Sequence, residues 1–224
     1  MTDATNDAAL EAAEIAQIDA ELRAEREARP KAGAGTVGWV LLVGSALGWI
    51  ASLALSLDKL ALLENPGASL ACDISPFISC GTFLGTWQAS TFIIPNMFIG
   101  LTGFSIMGVV GALYLSRVQL PGWFVWAAFG GVVFSFAFVH WLALNALFAI
   151  HALCPWCLVV WAVSAPMFFV MLARLVETDV LQVSGTARRL MRAWVPLSLA
   201  WYLLVIVAAI VVFFEQWLVM FGLR

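Results

Sequence analysis

Residues 154–175 read CPWCLVVWAVSAPMFFVMLARL, and this stretch decides the fold. From Cys154 to Ala173 it carries no charged side chain, which is the length that an α-helix needs to cross the hydrocarbon core of a membrane. The whole chain has the same character, because 63% of its 224 residues are hydrophobic and only 11% are charged. This composition excludes a soluble globular domain, and it offers no basic surface for nucleic acid.

Four further stretches of similar length and hydropathy bring the number of predicted membrane spans to five. The predicted spans are residues 37–57, 96–115, 123–148, 157–175 and 194–218. We therefore predict an all-α integral membrane protein, with a four-helix transmembrane bundle at 37–176 and a fifth transmembrane helix within 177–224. Residues 1–36 are polar and acidic and predict a cytosolic tail, and residues 58–95 form a long loop between the first two spans.

Lysine and arginine residues predict the orientation of the helices, because these residues accumulate in cytoplasmic loops. With the N-terminus inside, the cytoplasmic side receives Arg23, Arg26, Arg29, Lys31, Arg117, Arg174, Arg188, Arg189 and Arg192. The opposite side receives Lys59 and Arg224. We therefore expect the 58–95 loop, the C-terminus and all four cysteines outside a bacterial inner or plasma membrane, on its oxidising face.

The four cysteines form two close pairs, and the second pair is the Cys-x-x-Cys motif of Cys154 and Cys157. At the start of a helix, this spacing brings both sulfurs within bonding reach, and the helix N-terminus favours the thiolate of Cys154. Pro155 fits the first helical turn, where its missing N–H costs nothing. Cys157 lies one turn deeper and is expected to face the bundle. One alternative is a structural disulfide, but a disulfide that closes so short a loop would constrain little chain entropy. The other is a metal site, which the spacing of Cys72 and Cys80 does not favour.

Cys72 and Cys80 form the first pair, in the loop at 58–95, and a loop can move where a helix cannot. Disulfide exchange requires a thiolate to reach a disulfide sulfur, so a mobile pair beside a fixed one predicts exchange between Cys80 and Cys154. Cys72 is then expected to face outward to a protein partner. The alternative is a simple loop-closing disulfide. The apolar piece at 83–94 is too short to span, and it predicts either a lid over the bundle mouth or a plain membrane anchor.

Three motifs together resemble the vitamin K epoxide reductase family: CDxxxxxSC in the loop, IPN at the start of the second span, and CPWC at the start of the fourth. The resemblance covers roughly 37–176. Asp73 and Ser79 belong to the first motif, but the sequence assigns neither of them a chemical role. Bacterial members of this family are quinone-linked oxidants of thioredoxin-fold proteins. Because the chain stops at Arg224 without a thioredoxin-like domain, we expect its partner to be a separate thioredoxin-fold disulfide oxidase.

The resemblance also implies an order for the four sulfurs in a quinone-dependent thiol–disulfide oxidoreductase. Electrons would enter from the partner at Cys72 and pass through Cys80 to Cys154. They would leave from Cys157 to a membrane quinone, either menaquinone or ubiquinone.

Four further residues are expected to contact the quinone. Asn96 matches a family asparagine that hydrogen-bonds a quinone carbonyl, and its alternative role is to cap the N-terminus of the second span. Trp161 stands where animal members have a tyrosine, which favours simple quinone reduction over epoxide chemistry. Phe83 and Trp87 belong to the predicted lid.

Two other functions fit the same motifs. An outward-directed membrane thiol reductase would take electrons from a cytosolic donor, but no cysteine lies near the predicted inner face. A metal-binding or scaffold protein without redox turnover would use the cysteines as ligands. His140 and His151 are the histidines of the chain and are weighed as proton carriers, although a lone interfacial histidine is more often a polar cap.

Overall fold

The structure is a computed structural model that describes residues 13–21, 33–75, 78–178, 181, 183 and 185–214. In these ranges the helices are α1 (13–21), α2 (Ala34–Glu64), α3 (Cys80–Leu84), α4 (Asn96–Leu115), α5 (Gly122–Asn145), α6 (Pro155–Glu177), α7 (Gly185–Arg192) and α8 (Trp194–Val212). A 3₁₀ turn at Trp87–Ser90 follows α3, and a π-helical turn at Ala146–Ile150 continues α5. Within the described ranges, β-structure is limited to isolated bridges.

Five of the described helices, α2, α4, α5, α6 and α8, are long and apolar enough to cross a membrane, which confirms the predicted all-α membrane fold. The second span has the predicted bounds. The first is longer than predicted and runs to Glu64, because the residues from Asp58 onward favour helix although they are no longer uniformly apolar. The last predicted residues of the fifth span, 215–218, lie outside the described residues.

Small residues let α2 and α4 pack with their backbones in contact. A Cβ atom on Gly111 would lie 2.8 Å from the backbone nitrogen of Leu42 and 3.0 Å from the carbonyl oxygen of Gly38. A Cβ atom on Gly48 would run into the ring of Phe104. Close approach of this kind is how helices associate in lipid, where hydrophobic burial gives little driving force between them.

The two ends of the bundle differ in chemistry. At one end α6 begins beside the cysteines, and at the other it ends with buried Arg174, which lies 3.7 Å from Glu177. Arg117 comes directly after α4, and α7, which has three arginines, comes after α6. Both therefore lie at the second end. Of the other cations in the orientation prediction, Arg23, Arg26, Arg29, Lys31 and Arg224 lie outside the described residues. The described basic residues other than Lys59 therefore gather at the end opposite the cysteines.

Candidate active site

A backbone contact brings the two cysteine pairs together. The N–H of Ser79 donates to the carbonyl of Leu153 at 3.0 Å, and these are the residues immediately before Cys80 and Cys154. Cys80 is the first residue of α3, and Cys154 is the N-cap of α6. As a result the Sγ atoms of Cys80 and Cys154 lie 3.4 Å apart, with both residues almost completely buried.

The two pairs are in different redox states. Cys72 and Cys80 are joined by a disulfide, whereas Cys154 and Cys157 are free thiols. The contact between the pairs is therefore one between a thiol and a disulfide sulfur, which is the approach that exchange requires. Apolar side chains surround this cluster, among them those of Leu55, Leu70, Phe83, Met97 and Ala146.

The expectation that Cys72 faces outward is wrong for this conformation. Cys72 is only 7% exposed, and its sulfur lies 3.4 Å from Oδ2 of Asp58 on α2. A disulfide sulfur carries no proton, so in this state the contact is a polar one, and a reduced Cys72 thiol would donate a hydrogen bond there. In this conformation the loop and the end of α2 therefore cover Cys72.

Asp73 organises the loop that carries Cys72 and Cys80. Its Oδ1 accepts hydrogen bonds from the hydroxyl of Ser79 at 2.7 Å and from the N–H of Gly81 at 3.0 Å, and its Oδ2 accepts one from the N–H of Leu70 at 3.2 Å. Desolvation alone would raise the pKa of Asp73, but these hydrogen bonds to the charged form outweigh it and lower the pKa.

Ser79 connects Asp73 to α3. Its Oγ accepts the N–H of Thr82 at 3.0 Å, which makes Ser79 the N-cap of the helix that Cys80 begins. The sequence assigned no chemical role to Asp73 and Ser79. In the structure they share one role, because together they determine where the Cys80 sulfur points.

The other end of α3 is held by α2. Nζ of Lys59 donates to the carbonyl of Leu84 at 2.8 Å, and Leu84 is the last residue of α3. Asp58 and Lys59 therefore contact the loop from neighbouring positions of one helix. Sequence reasoning missed both residues because it ended the first span at Leu57, and the helix-favouring residues that follow were the signal that could have found them.

The start of α6 favours the thiolate of Cys154, as its sequence predicts. A hydrogen bond from the Cys157 thiol is the largest influence and lowers the pKa of Cys154, burial opposes it, and the backbone N–H groups of Cys157 and Trp156 lower it further. The pKa of Cys154 is therefore below its ordinary value, which favours the nucleophilic form of a sulfur that already touches Cys80.

A cavity of about 530 Å³ lies beneath the cysteines, between α2, α4, α5 and α6. Cys154 and Cys157 line it at one end, and Phe83 and Leu84 of α3 lie over it. Its walls are mainly apolar, and α4 and α5 lie apart on one side of it. Such a space suits a lipophilic molecule better than a polar one.

The predicted quinone-contacting residues are placed differently with respect to this cavity. Phe83, Asn96 and Trp161 line it. Trp87 is 66% exposed, is not among the lining residues in the described part of the chain, and packs edge-on against Trp141. The geometry therefore does not support a direct contact between Trp87 and a molecule in the cavity.

The side chain of Asn96 holds the loop that precedes α4. Its Oδ1 accepts the N–H of Thr91 at 3.2 Å, and its Nδ2 donates to the carbonyl of Gln88. The alternative that Asn96 caps α4 is wrong, since Pro95 occupies the N-cap position and no side chain caps the helix there. The amide of Asn96 keeps one N–H that these two bonds do not use.

Trp161 carries an unused hydrogen-bond donor at the cavity wall. The side chain is buried, and its Nε1 has no hydrogen-bond partner among the described residues. A buried donor without a partner costs about 1–3 kcal/mol, which an entering acceptor would recover. Because Nε1 is itself covered, a small shift of the indole or its neighbours is needed before a carbonyl in the cavity reaches it.

One group of potential metal ligands lies among the described residues. The side chains of Asp58, Cys72 and Cys80 place their ligand atoms within 4.8 Å of one another. In this state the two sulfurs are bonded to each other, so neither is a thiolate, the form in which cysteine binds metals.

Two dithiol/disulfide pairs in contact, at one end of a bundle of membrane-spanning helices, define a membrane thiol–disulfide oxidoreductase. The model of the vitamin K epoxide reductase family matches residues 39–172, which is more than half of the chain and includes all four cysteines. The chain belongs to this family, which confirms the resemblance carried by its motifs. A search of the curated proteins finds no match.

Proposed function

We propose that the protein reoxidises a thioredoxin-fold disulfide oxidase outside the cytoplasm and passes the electrons to a membrane quinone. The observation that carries the proposal is the 3.4 Å contact between the Cys80 and Cys154 sulfurs, with Cys157 lining an apolar cavity directly behind them. This contact joins the loop pair to the helix pair, and both cysteines of the helix pair line the cavity.

The described redox state corresponds to one point in the cycle. The Cys72–Cys80 disulfide is the oxidant for the partner: a partner thiolate attacks Cys72, Cys80 leaves as a thiolate, and a second partner thiolate then releases Cys72. The partner gains a disulfide, and the loop pair becomes a dithiol. Two electrons and two protons have then moved from the partner to Cys72 and Cys80 or to nearby acceptors.

The loop is reoxidised by the helix pair when that pair is a disulfide. The Cys80 thiolate attacks Cys154, Cys157 leaves as a thiolate, and Cys72 then attacks Cys80 and displaces Cys154. Each displacement forms one S–S bond and breaks another, so no electron is lost. The lowered pKa of Cys154 makes it a good leaving group in the second displacement.

Asp58 is the group placed to take the proton of Cys72 before that attack. Its Oδ2 lies 3.4 Å from the Cys72 sulfur, and its carboxylate can accept the thiol proton as the thiolate forms. After the attack, Asp58 can release that proton to solvent, because it is partly exposed.

The cavity fits a quinone by size, by its apolar walls and by the unpartnered donor of Trp161. Trp161, Phe83 and the spare N–H of Asn96 are the groups that would hold it. When bound there, a quinone supplies an acceptor for the two electrons and two protons of the Cys154–Cys157 dithiol.

We also propose the orientation in which all four cysteines lie outside a bacterial plasma membrane. It is supported by the arginines of α6 and α7, which gather at the opposite end of the bundle. An outward-directed reductase would need a route for electrons from that end, but the redox-active sulfurs all lie at the other.

The test is partner oxidation by the purified protein in detergent, with a short-chain ubiquinone or menaquinone analogue as acceptor. Without quinone we expect a burst of partner disulfide that stops when the oxidised loop is used up, and with quinone we expect continuous turnover. Cys157→Ser should keep the burst and lose turnover, Cys72→Ser should lose both, and Ser105→Ala, an exposed serine on α4, should lose neither. Full turnover by Cys157→Ser would refute the proposed path.

A further inference from the structure

The fifth membrane helix lies outside the region that matches the family, yet it contacts two of the helices that surround the cavity. Nε1 of Trp201 on α8 donates to Nε2 of His140 on α5 at 2.8 Å. The next residue, Tyr202, donates through its hydroxyl to the carbonyl of Ala162, beside Trp161 on α6. The helix is therefore fixed at two points to α5 and α6, next to the residues Val139 and Trp161 that line the cavity.

These contacts determine the tautomer of His140. A tryptophan Nε1 can only donate, so Nε2 of His140 is the acceptor and its Nδ1 carries the proton. That Nδ1–H donates to the carbonyl of Phe136 at 2.6 Å. Both ring nitrogens of His140 are then in use, so it is not placed to carry a proton to the cavity.

Trp161 is the third ring of this cluster. Its ring centroid lies 5.7 Å from that of His140 and 5.5 Å from that of Trp201, and both contacts are edge-on. Two indole rings thus pack against the imidazole of His140, whose Nε2 is an acceptor. The donor of Trp201 occupies that acceptor, and the donor of Trp161 is left without a partner.

We propose that Trp201 and His140 are positioning residues that keep the N–H of Trp161 available to the quinone. If Trp201 could not donate, Nε2 of His140 would be an unoccupied acceptor on a ring whose centroid lies 5.7 Å from that of Trp161, and it would compete for the Trp161 donor. The fifth helix is then a functional part of the acceptor site and not only a membrane anchor. This inference rests on the proposed function, in which Trp161 binds a quinone carbonyl.

The test compares Trp201→Phe with the double variant Trp201→Phe/His140→Phe. The single variant should weaken binding of short-chain ubiquinone, measured by calorimetry, roughly 3- to 10-fold, the range for one neutral hydrogen bond. The double variant removes the competing acceptor and should restore the wild-type Kd, although it disturbs the packing more. Leu203→Ala, an exposed residue of the same helix, is the control and should bind like the wild type.

A second readout needs no quinone. With ¹⁵N-labelled tryptophan, the indole N–H signal of Trp161, assigned by its loss in Trp161→Phe, should move downfield in Trp201→Phe and return in the double variant. An unmoved signal together with an unchanged Kd in Trp201→Phe would overturn the inference, as would a double variant that binds no better than the single one. If Trp161→Phe itself binds quinone normally, the proposed contact at Trp161 fails instead.

Discussion

Replacing Asp73 by asparagine should loosen the loop that aligns Cys80 with Cys154. Asparagine keeps an acceptor in place of Oδ1, but it turns a donor toward the N–H of Leu70 and removes the negative charge that all three hydrogen bonds share. Because Asp73 is exposed, water competes for these bonds, and we take the lower end of the usual range, about 1–2 kcal/mol in total. A loss of that size raises the open fraction of the loop roughly 5- to 30-fold.

The assay is amide hydrogen exchange at Ser79 and Gly81, read by mass spectrometry, with the single-turnover rate of loop reoxidation measured in parallel. Protonation gives an independent control: because the pKa of Asp73 is below its ordinary value of 3.8, its contribution is complete above that pH and is lost as the pH falls through the lowered pKa. The wild type should therefore come to resemble Asp73→Asn only in strong acid. Unchanged exchange protection in Asp73→Asn at pH 7 would refute this reasoning.

Three further outcomes are expected. Gly111→Ala should destabilise the protein by about 1–3 kcal/mol, because the new Cβ meets backbone atoms of α2. The control is Gly103→Ala on the same helix, where the new Cβ meets nothing within 4 Å. Equal midpoints of detergent unfolding for the two variants would contradict this prediction. Asp58→Asn should slow loop reoxidation by about 10²-fold, the lower end of the range for a positioned acid–base group, and an equal or faster rate in stopped flow would exclude Asp58 as proton acceptor. Thiolate absorbance of Cys154 should appear with a midpoint below pH 9.0, and a midpoint at or above that value would contradict the lowered pKa.

The membrane fold followed from the sequence because hydropathy and span length are local properties. The second span has the predicted bounds at Asn96–Leu115, and Pro155 stands in the first turn of α6 as its chemistry requires. The contact between Cys80 and Cys154 was a prediction from the reactivity of paired cysteines. Sequence could not supply the hydrogen bond from Ser79 to Leu153 that creates it, because that bond joins segments far apart in the chain.

Several side-chain roles depend on neighbours that a single sequence does not reveal. Cys72 is covered because α2 continues past the apolar run and places Asp58 against it. Asn96 stands at a helix start, yet its amide is used by the loop above it and not by the helix. Trp201 lies in α8, which has no charged residues, and only the hydrogen bond between α8 and α5 shows that it contacts His140.

The most direct test of the relay leaves only its central pair of cysteines. In the variant Cys72→Ser/Cys157→Ser, the remaining sulfurs of Cys80 and Cys154 are the two that lie 3.4 Å apart. Mild oxidation of the folded protein should join them in a disulfide, detected as a cross-linked peptide by mass spectrometry. The complementary variant Cys80→Ser/Cys154→Ser, which keeps the two ends of the relay, should stay reduced. Recovery of Cys80 and Cys154 as free thiols after oxidation would contradict the proposed exchange between the loop and the helix pair.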